Sequence, residues 1–182
     1  LTGLSSGVSS DSNRNTVGGT DSGSSLTTGS GNTLYGYKAG EDVTSGFNNT
    51  FLGDRVAPSL TDGHSNTVTG VEAGSALTSG YYNDLFGAYA GMSITTGDQN
   101  ICLGSQAGKA ITTGDNNALL GYQAGQLINT GRKNVAIGIS ALSSGTTGGN
   151  NSTVGYKAAD NITSGSYNTA VGAYAGNNLT TG

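Results

Sequence analysis

The chain has 182 residues, 33 of them Gly, with 10% charged residues and a net charge of −4; average proteins carry about 7% Gly and about 25% charge. One Cys and one His exclude a disulfide framework and a Cys- or His-rich metal site, and seven scattered basic residues argue against a nucleic-acid partner. No apolar run is long enough to span a membrane, no charged-then-apolar start marks a signal peptide, and Leu1 in place of Met reads as a segment of a longer polypeptide.

Residues 1–12 share no phase with the rest and read as a degenerate first coil or a junction. Residues 13–182 form a single repeat domain of ten 17-residue units, without insertion or deletion. High Gly content alone would suit disorder, but here the Gly residues fall in register. Each unit starts from an Asn, at 15, 32, 49, 66, 83, 100, 117, 134, 151 and 168. Two places later comes a first apolar column (Val17, Leu34, Phe51, Val68, Leu85, Cys102, Leu119, Ala136, Thr153, Ala170), and three places later a second (Gly18, Tyr35, Leu52, Thr69, Phe86, Leu103, Leu120, Ile137, Val154, Val171). A Gly follows in every unit, Gly19 to Gly172. Then come a small column that is mostly Ala, an aliphatic column from Leu26 to Leu179, a Thr column broken only by Asn129, and a further Gly from Gly29 to Gly182.

A fixed short period means stacked units. A helix fails, because two or three Gly per unit would cost about 1 kcal/mol each. Collagen fails, because Gly is not every third residue and there is one Pro. What remains is an all-β fold, a parallel β-solenoid or β-roll of ten 17-residue coils stacked about 4.8 Å apart. Each coil offers two strand-like pieces, Asn-Thr-x-apolar and apolar-Thr-Thr. The Gly columns read as turns with φ > 0, which makes Gly121→Val costlier than Gln123→Val. Stacked Asn amides suit a hydrogen-bonded ladder, and the Thr column admits another.

The adjacent apolar columns carry a further expectation. Neighbouring side chains in a strand point to opposite faces, so one column fills the coil and the other faces outward along the rod. A stripe of that length calls for a partner, and identical stripes on further copies are the natural one.

The segments Asn134-Val135-Ala136-Ile137-Gly138 and Asn168-Thr169-Ala170-Val171-Gly172 resemble the Asn-Ser-Val-Ala-Ile-Gly core of head repeats in trimeric autotransporter adhesins. The longer unit ending in Thr-Thr-Gly is similar to repeats of bacteriophage tail-fibre proteins. The resemblance implies a homotrimeric, β-rich fibre, extracellular, at a virion tail or cell surface, used in host attachment. The adhesin repeat is shorter, so its cross-section does not transfer.

No residue pattern reads as catalytic, and no cofactor or metal is expected. His64, the only His, sits two before an Asn in a freely varying column that reads as solvent-facing. Cys102 lies in the first apolar column. Asp98 and Asp115 form one vertical acidic pair, thin for a cation. The aromatics are the candidate ligand contacts: Tyr37, Tyr122 and Tyr156 in one column, with Phe47, Tyr81 and Tyr82 elsewhere. Exposed rings can stack on sugars, and equally can buttress the coil. Three functions follow: a structural fibre segment, a module recognising a host-surface glycan or receptor through exposed Tyr and Asn, and an ice-binding solenoid using the Thr column.

Overall fold

β-Branched and apolar residues after each Asn favour an extended backbone, and the Gly four places on ends it. The computed structural model describes residues 8–145 and 147–181. Residues 1–7 of the out-of-phase segment, Thr146 of the Thr column and Gly182 lie outside the described residues. Among the described residues, eleven three-residue strands form one sheet: β1 (Val8–Ser10), β2 (Thr16–Gly18), β3 (Thr33–Tyr35), β4 (Thr50–Leu52), β5 (Thr67–Thr69), β6 (Asp84–Phe86), β7 (Ile101–Leu103), β8 (Ala118–Leu120), β9 (Val135–Ile137), β10 (Ser152–Val154) and β11 (Thr169–Val171). From β2 to β11 all neighbours pair in parallel with a register of 17, so Leu119 faces Cys102 and Ala136. The molecule is a β-solenoid. β1 departs from this pattern. It turns back and pairs antiparallel with β2, Ser9 opposite Val17, so the described part of the out-of-phase segment is a strand over the sheet edge.

The Asn ladder forms. The Asn32 backbone N–H and Nδ2–H both donate to Asn15 Oδ1 (2.9 and 3.0 Å), and Nδ2 also donates to the Gly46 carbonyl (2.8 Å). The same three bonds recur at Asn117 (3.2, 3.0 and 2.9 Å). These amides are buried yet satisfied, each bond contributing about 1 kcal/mol net. The Thr hydroxyls also run up the stack: Thr78 Oγ1 donates to the Thr95 carbonyl (3.0 Å), and Thr95 Oγ1 to that of Thr112 (3.2 Å).

The first apolar column, the Ala column and the aliphatic column fill the interior. Each buried Leu or Ile there contributes about 1.5–3 kcal/mol. Burial drives up the pKa of the Cys102 thiol, to about 12.

Two expectations need correction. The apolar-Thr-Thr piece is not a strand. The N–H groups of Thr27, Thr28 and Gly29 converge on one acceptor, the Thr44 carbonyl (3.0, 3.2 and 3.0 Å). A fork of donors on one oxygen is a turn, because a ladder needs alternate acceptors. The Gly columns are also not the only left-handed sites, and not all of them are left-handed. Gly121 has φ +137, and a Cβ there would lie 2.5 Å from the Gly138 carbonyl oxygen. Gly97 has no positive φ; its Cβ would meet the Gly114 oxygen at 2.5 Å, so close coil stacking alone excludes a side chain. Meanwhile Lys38, Glu72 and Gln123 (φ 55, 54 and 59) and, just before the Asn, Tyr82 and Lys133 (φ 55 and 57) are left-handed without being Gly. That conformation costs about 1–2 kcal/mol for an L-residue. Gln123→Val is therefore strained as well, and the contrast with Gly121→Val rests on backbone collision.

Candidate functional site

Strand alternation decides which apolar column faces out. In β4 Phe51 is fully buried while Leu52 is half exposed, and in β9 Ala136 is buried while Ile137 is exposed. The second apolar column is the outward one. Tyr35, Leu52, Phe86, Leu103, Ile137, Val154 and Val171 form a ridge along the sheet face, continuous through the half-buried Thr69 and Leu120. Two places further on, past the turn Gly, Tyr37, Val71, Tyr122, Ile139 and Tyr156 are also exposed, the three Tyr by 45, 48 and 44%. A second, broken column of exposed apolar residues thus follows the turn, interrupted by Asp54 and Ser105. The sequence carried a signal for the second column: these residues follow the ridge at a spacing of two, and Val71 and Ile139 are aliphatic.

Charged residues lie within and beside this second column. Arg55 bridges Asp54 and Glu72 (3.0 Å each), and Lys38 pairs with Glu41 (3.0 Å). That bond to Glu41 holds the Lys38 ammonium above its usual pKa. Exposed pairs like these contribute about 0–1 kcal/mol, and Asp54 itself stands between Tyr37 and Val71 in the second column and interrupts it. Tyr156 meets Tyr174 edge-on at 5.2 Å, and the hydrogen bond between them raises the Tyr174 pKa.

Phe47, Tyr81 and Tyr82 gather elsewhere, at the corner preceding the Asn column. Phe47, His64 and Tyr81 lie one coil apart and stack nearly parallel, with centroids 4.6 and 5.1 Å apart. Tyr82 meets His64 and Tyr81 edge-on at 5.4 and 5.6 Å. The six aromatic candidates therefore form no single site: Phe47, Tyr81 and Tyr82 gather at the corner, while Tyr37, Tyr122 and Tyr156 are spread along one column, with Tyr37 five coils from Tyr122. In the corner group the rings spend their faces on one another, and both faces of His64 are covered. Such stacking contributes about 0.5–1.5 kcal/mol per pair and suits buttressing of the coil.

Above Tyr81 the column becomes polar. Asp98 Oδ1 accepts the Tyr81 backbone N–H (2.9 Å), and Asp115 Oδ1 accepts that of Asp98 (3.1 Å). A hydrogen bond to Asp98 and its negative charge raise the Tyr81 pKa. Arg132 Nε pairs with Asp115 at 3.3 Å, so the vertical acidic pair is occupied by backbone donors and a guanidinium. Among the described residues no group of three or more His, Cys, Asp or Glu is placed to hold a metal ion, and no helix is long and apolar enough to cross a membrane.

No family model, curated protein or solved structure matches this chain. The functional reading rests on the apolar face and on the repeat itself.

Proposed function

We propose that this chain is a structural segment, shaft or head, of a surface fibre used in host attachment. In this reading copies assemble in parallel as a homotrimer through the outward apolar ridge. The observation that carries it is the outward ridge from Tyr35 to Val171. Solvated faces of single-chain sheets alternate toward polar residues, and exposed apolar patches longer than a few hundred Å² mark interfaces. The number three and the extracellular setting come from the resemblance to tail-fibre and adhesin repeats.

The test is light scattering on the purified chain at micromolar concentration, alongside Leu103→Asp and Leu120→Asp. The expected mass is three chains for the native protein and one for the variants, with β-sheet circular dichroism retained. A folded native monomer overturns the assembly. Glycan recognition is then the leading reading, because Tyr37, Tyr122 and Tyr156 are nearly half exposed. A glycan array with Tyr122→Ala as control measures that reading directly.

A further inference from the structure

Each strand from β2 to β11 has two outward positions, its first and third residues. The third positions make the ridge. The first positions are mostly polar: Thr16, Thr33, Thr50 and Thr67 in β2 to β5, Asp84 in β6, Ser152 in β10 and Thr169 in β11. Three consecutive strands depart from this. β7, β8 and β9 carry Ile101, Ala118 and Val135 at the first position, beside Leu103, Leu120 and Ile137 at the third. Ile101, Leu103 and Ile137 are 40, 36 and 39% exposed, and the other three are half-buried. From β2 to β11, only these three strands are apolar at both outward positions.

Charge and area both bear on what covers this patch. Asp84 is the one charged residue at the outward positions of β2 to β11, and residues 66–99 contain no Lys or Arg. Copies in register therefore meet neutral surface along the whole face except at β6, where Asp84 faces Asp84 without a counter-charge. Like charges that lose water repel each other. With about 3.3 Å per residue and about 4.8 Å between strands, the patch covers on the order of 100 Å². Each partner of a standard interface buries roughly 800 Å², so an occupant seated on the patch has to continue along the ridge. A second copy does so, because its own ridge repeats at the same spacing.

We infer that copies of this chain make their tight contact at β7 to β9, and that Asp84 ends this contact on the N-terminal side. The occupant is a second copy in register, with Ile101, Leu103, Leu120, Val135 and Ile137 against their own counterparts. Interfaces concentrate their energy in a desolvated apolar centre within a polar rim. Here Thr67 and Asp84 form the rim on one side and Ser152 and Thr169 on the other. This rests on the homotrimer reading and deepens it: the seam is centred, not uniform. Toward β2 the ridge residues Tyr35 and Leu52 run beside Thr33 and Thr50, whose hydroxyls hold water at the seam.

The experiment measures, by sedimentation over a dilution series of the whole chain, the concentration at which half of it is assembled. Ile101→Thr with Val135→Thr installs the residue that β3, β4 and β5 already carry at that position. Tyr35→Thr with Leu52→Thr is the comparison pair outside the patch; its residues are more exposed, at 50 and 49%. The expected result is at least tenfold weaker assembly for the first pair and less than threefold weaker for the second. Asp84→Asn should assemble at least threefold more tightly. Circular dichroism checks that each variant keeps its β-sheet; if the first pair loses it, Ile101→Ser and Val135→Ser, made singly after the Ser of β10, give the same reading. Weakening by the second pair that equals or exceeds that by the first overturns the centring at β7 to β9. Unchanged or weaker assembly of Asp84→Asn overturns the limit at β6. A native chain that stays monomeric overturns the homotrimer itself, an outcome distinct from both.

Discussion

The coil of Asn117 and the coil of Asn134 are neighbours with the same path and different interiors. The first is regular: Leu119, Ala124 and Ile128 point inward, and Gly125 stands at φ 57. In the second, Ala136 replaces the Leu, Gly145 replaces the Ile, and Leu142 stands where the Gly would be. Leu142 is fully buried at φ 52. Two large side chains have been withdrawn and one inserted from a different point on the wall. Gly145 itself has turned to φ +80, and a Cβ there would lie 2.5 Å from the Leu127 carbonyl oxygen. A thin interior must be filled layer by layer, but which position fills it is negotiable, even at the cost of a left-handed Leu.

The largest expected effect comes from forcing one coil's solution onto the other. In Gly125→Leu the new Cβ would lie 2.8 Å from Ile128 Cδ1 and from Leu119 Cδ1. Overpacking and a left-handed side chain together cost about 3–5 kcal/mol, measurable by urea denaturation. Adding Leu119→Ala and Ile128→Gly copies the arrangement of the Asn134 coil, and should return at least half of that loss. No recovery would mean that the coils are not exchangeable by volume.

A smaller loss is expected from Leu142→Gly. Removing a buried Leu costs about 2–5 kcal/mol, partly offset by relief of about 1–2 kcal/mol of left-handed strain. The net is a loss of about 1–3 kcal/mol. A neutral result would show that Leu142 does not support its layer.

The smallest effect concerns the other departure from the pattern, Asp11 in place of a ladder Asn. Hydrogen bonds from Asn15 hold the Asp11 pKa below its ordinary value. Its contribution is therefore complete above the usual carboxylate range, and is lost as pH falls through the lowered value. A thermal-stability profile against pH should show a drop at the acid end that Asp11→Asn lacks. Parallel profiles for the two proteins would remove the cap from the account.

Much of this was legible in the sequence. The 17-residue phase, the Asn and Thr ladders and the division of the apolar pair follow from stacking and strand alternation. Other features had no residue signature. Left-handed positions were hidden because Lys, Glu, Gln and Tyr occupy them, whereas only Gly announces that conformation. The corner stack of Phe47, His64 and Tyr81 was hidden in a column that varies in chemistry, since a ring, a carboxylate and a guanidinium can all lie flat against the next coil. The hairpin of β1 was hidden because its pairing direction reverses outside the repeat.

The single-file order of the sheet has a mechanical consequence. Each strand from β2 to β10 is bonded only to the one below and the one above, so tension along the rod loads the hydrogen bonds in series. Nothing shares the load across coils, and the coils should peel singly. Each would release about 55 Å of chain, the extended length of one unit less one strand spacing. The β1 hairpin, paired antiparallel with β2, should give way last.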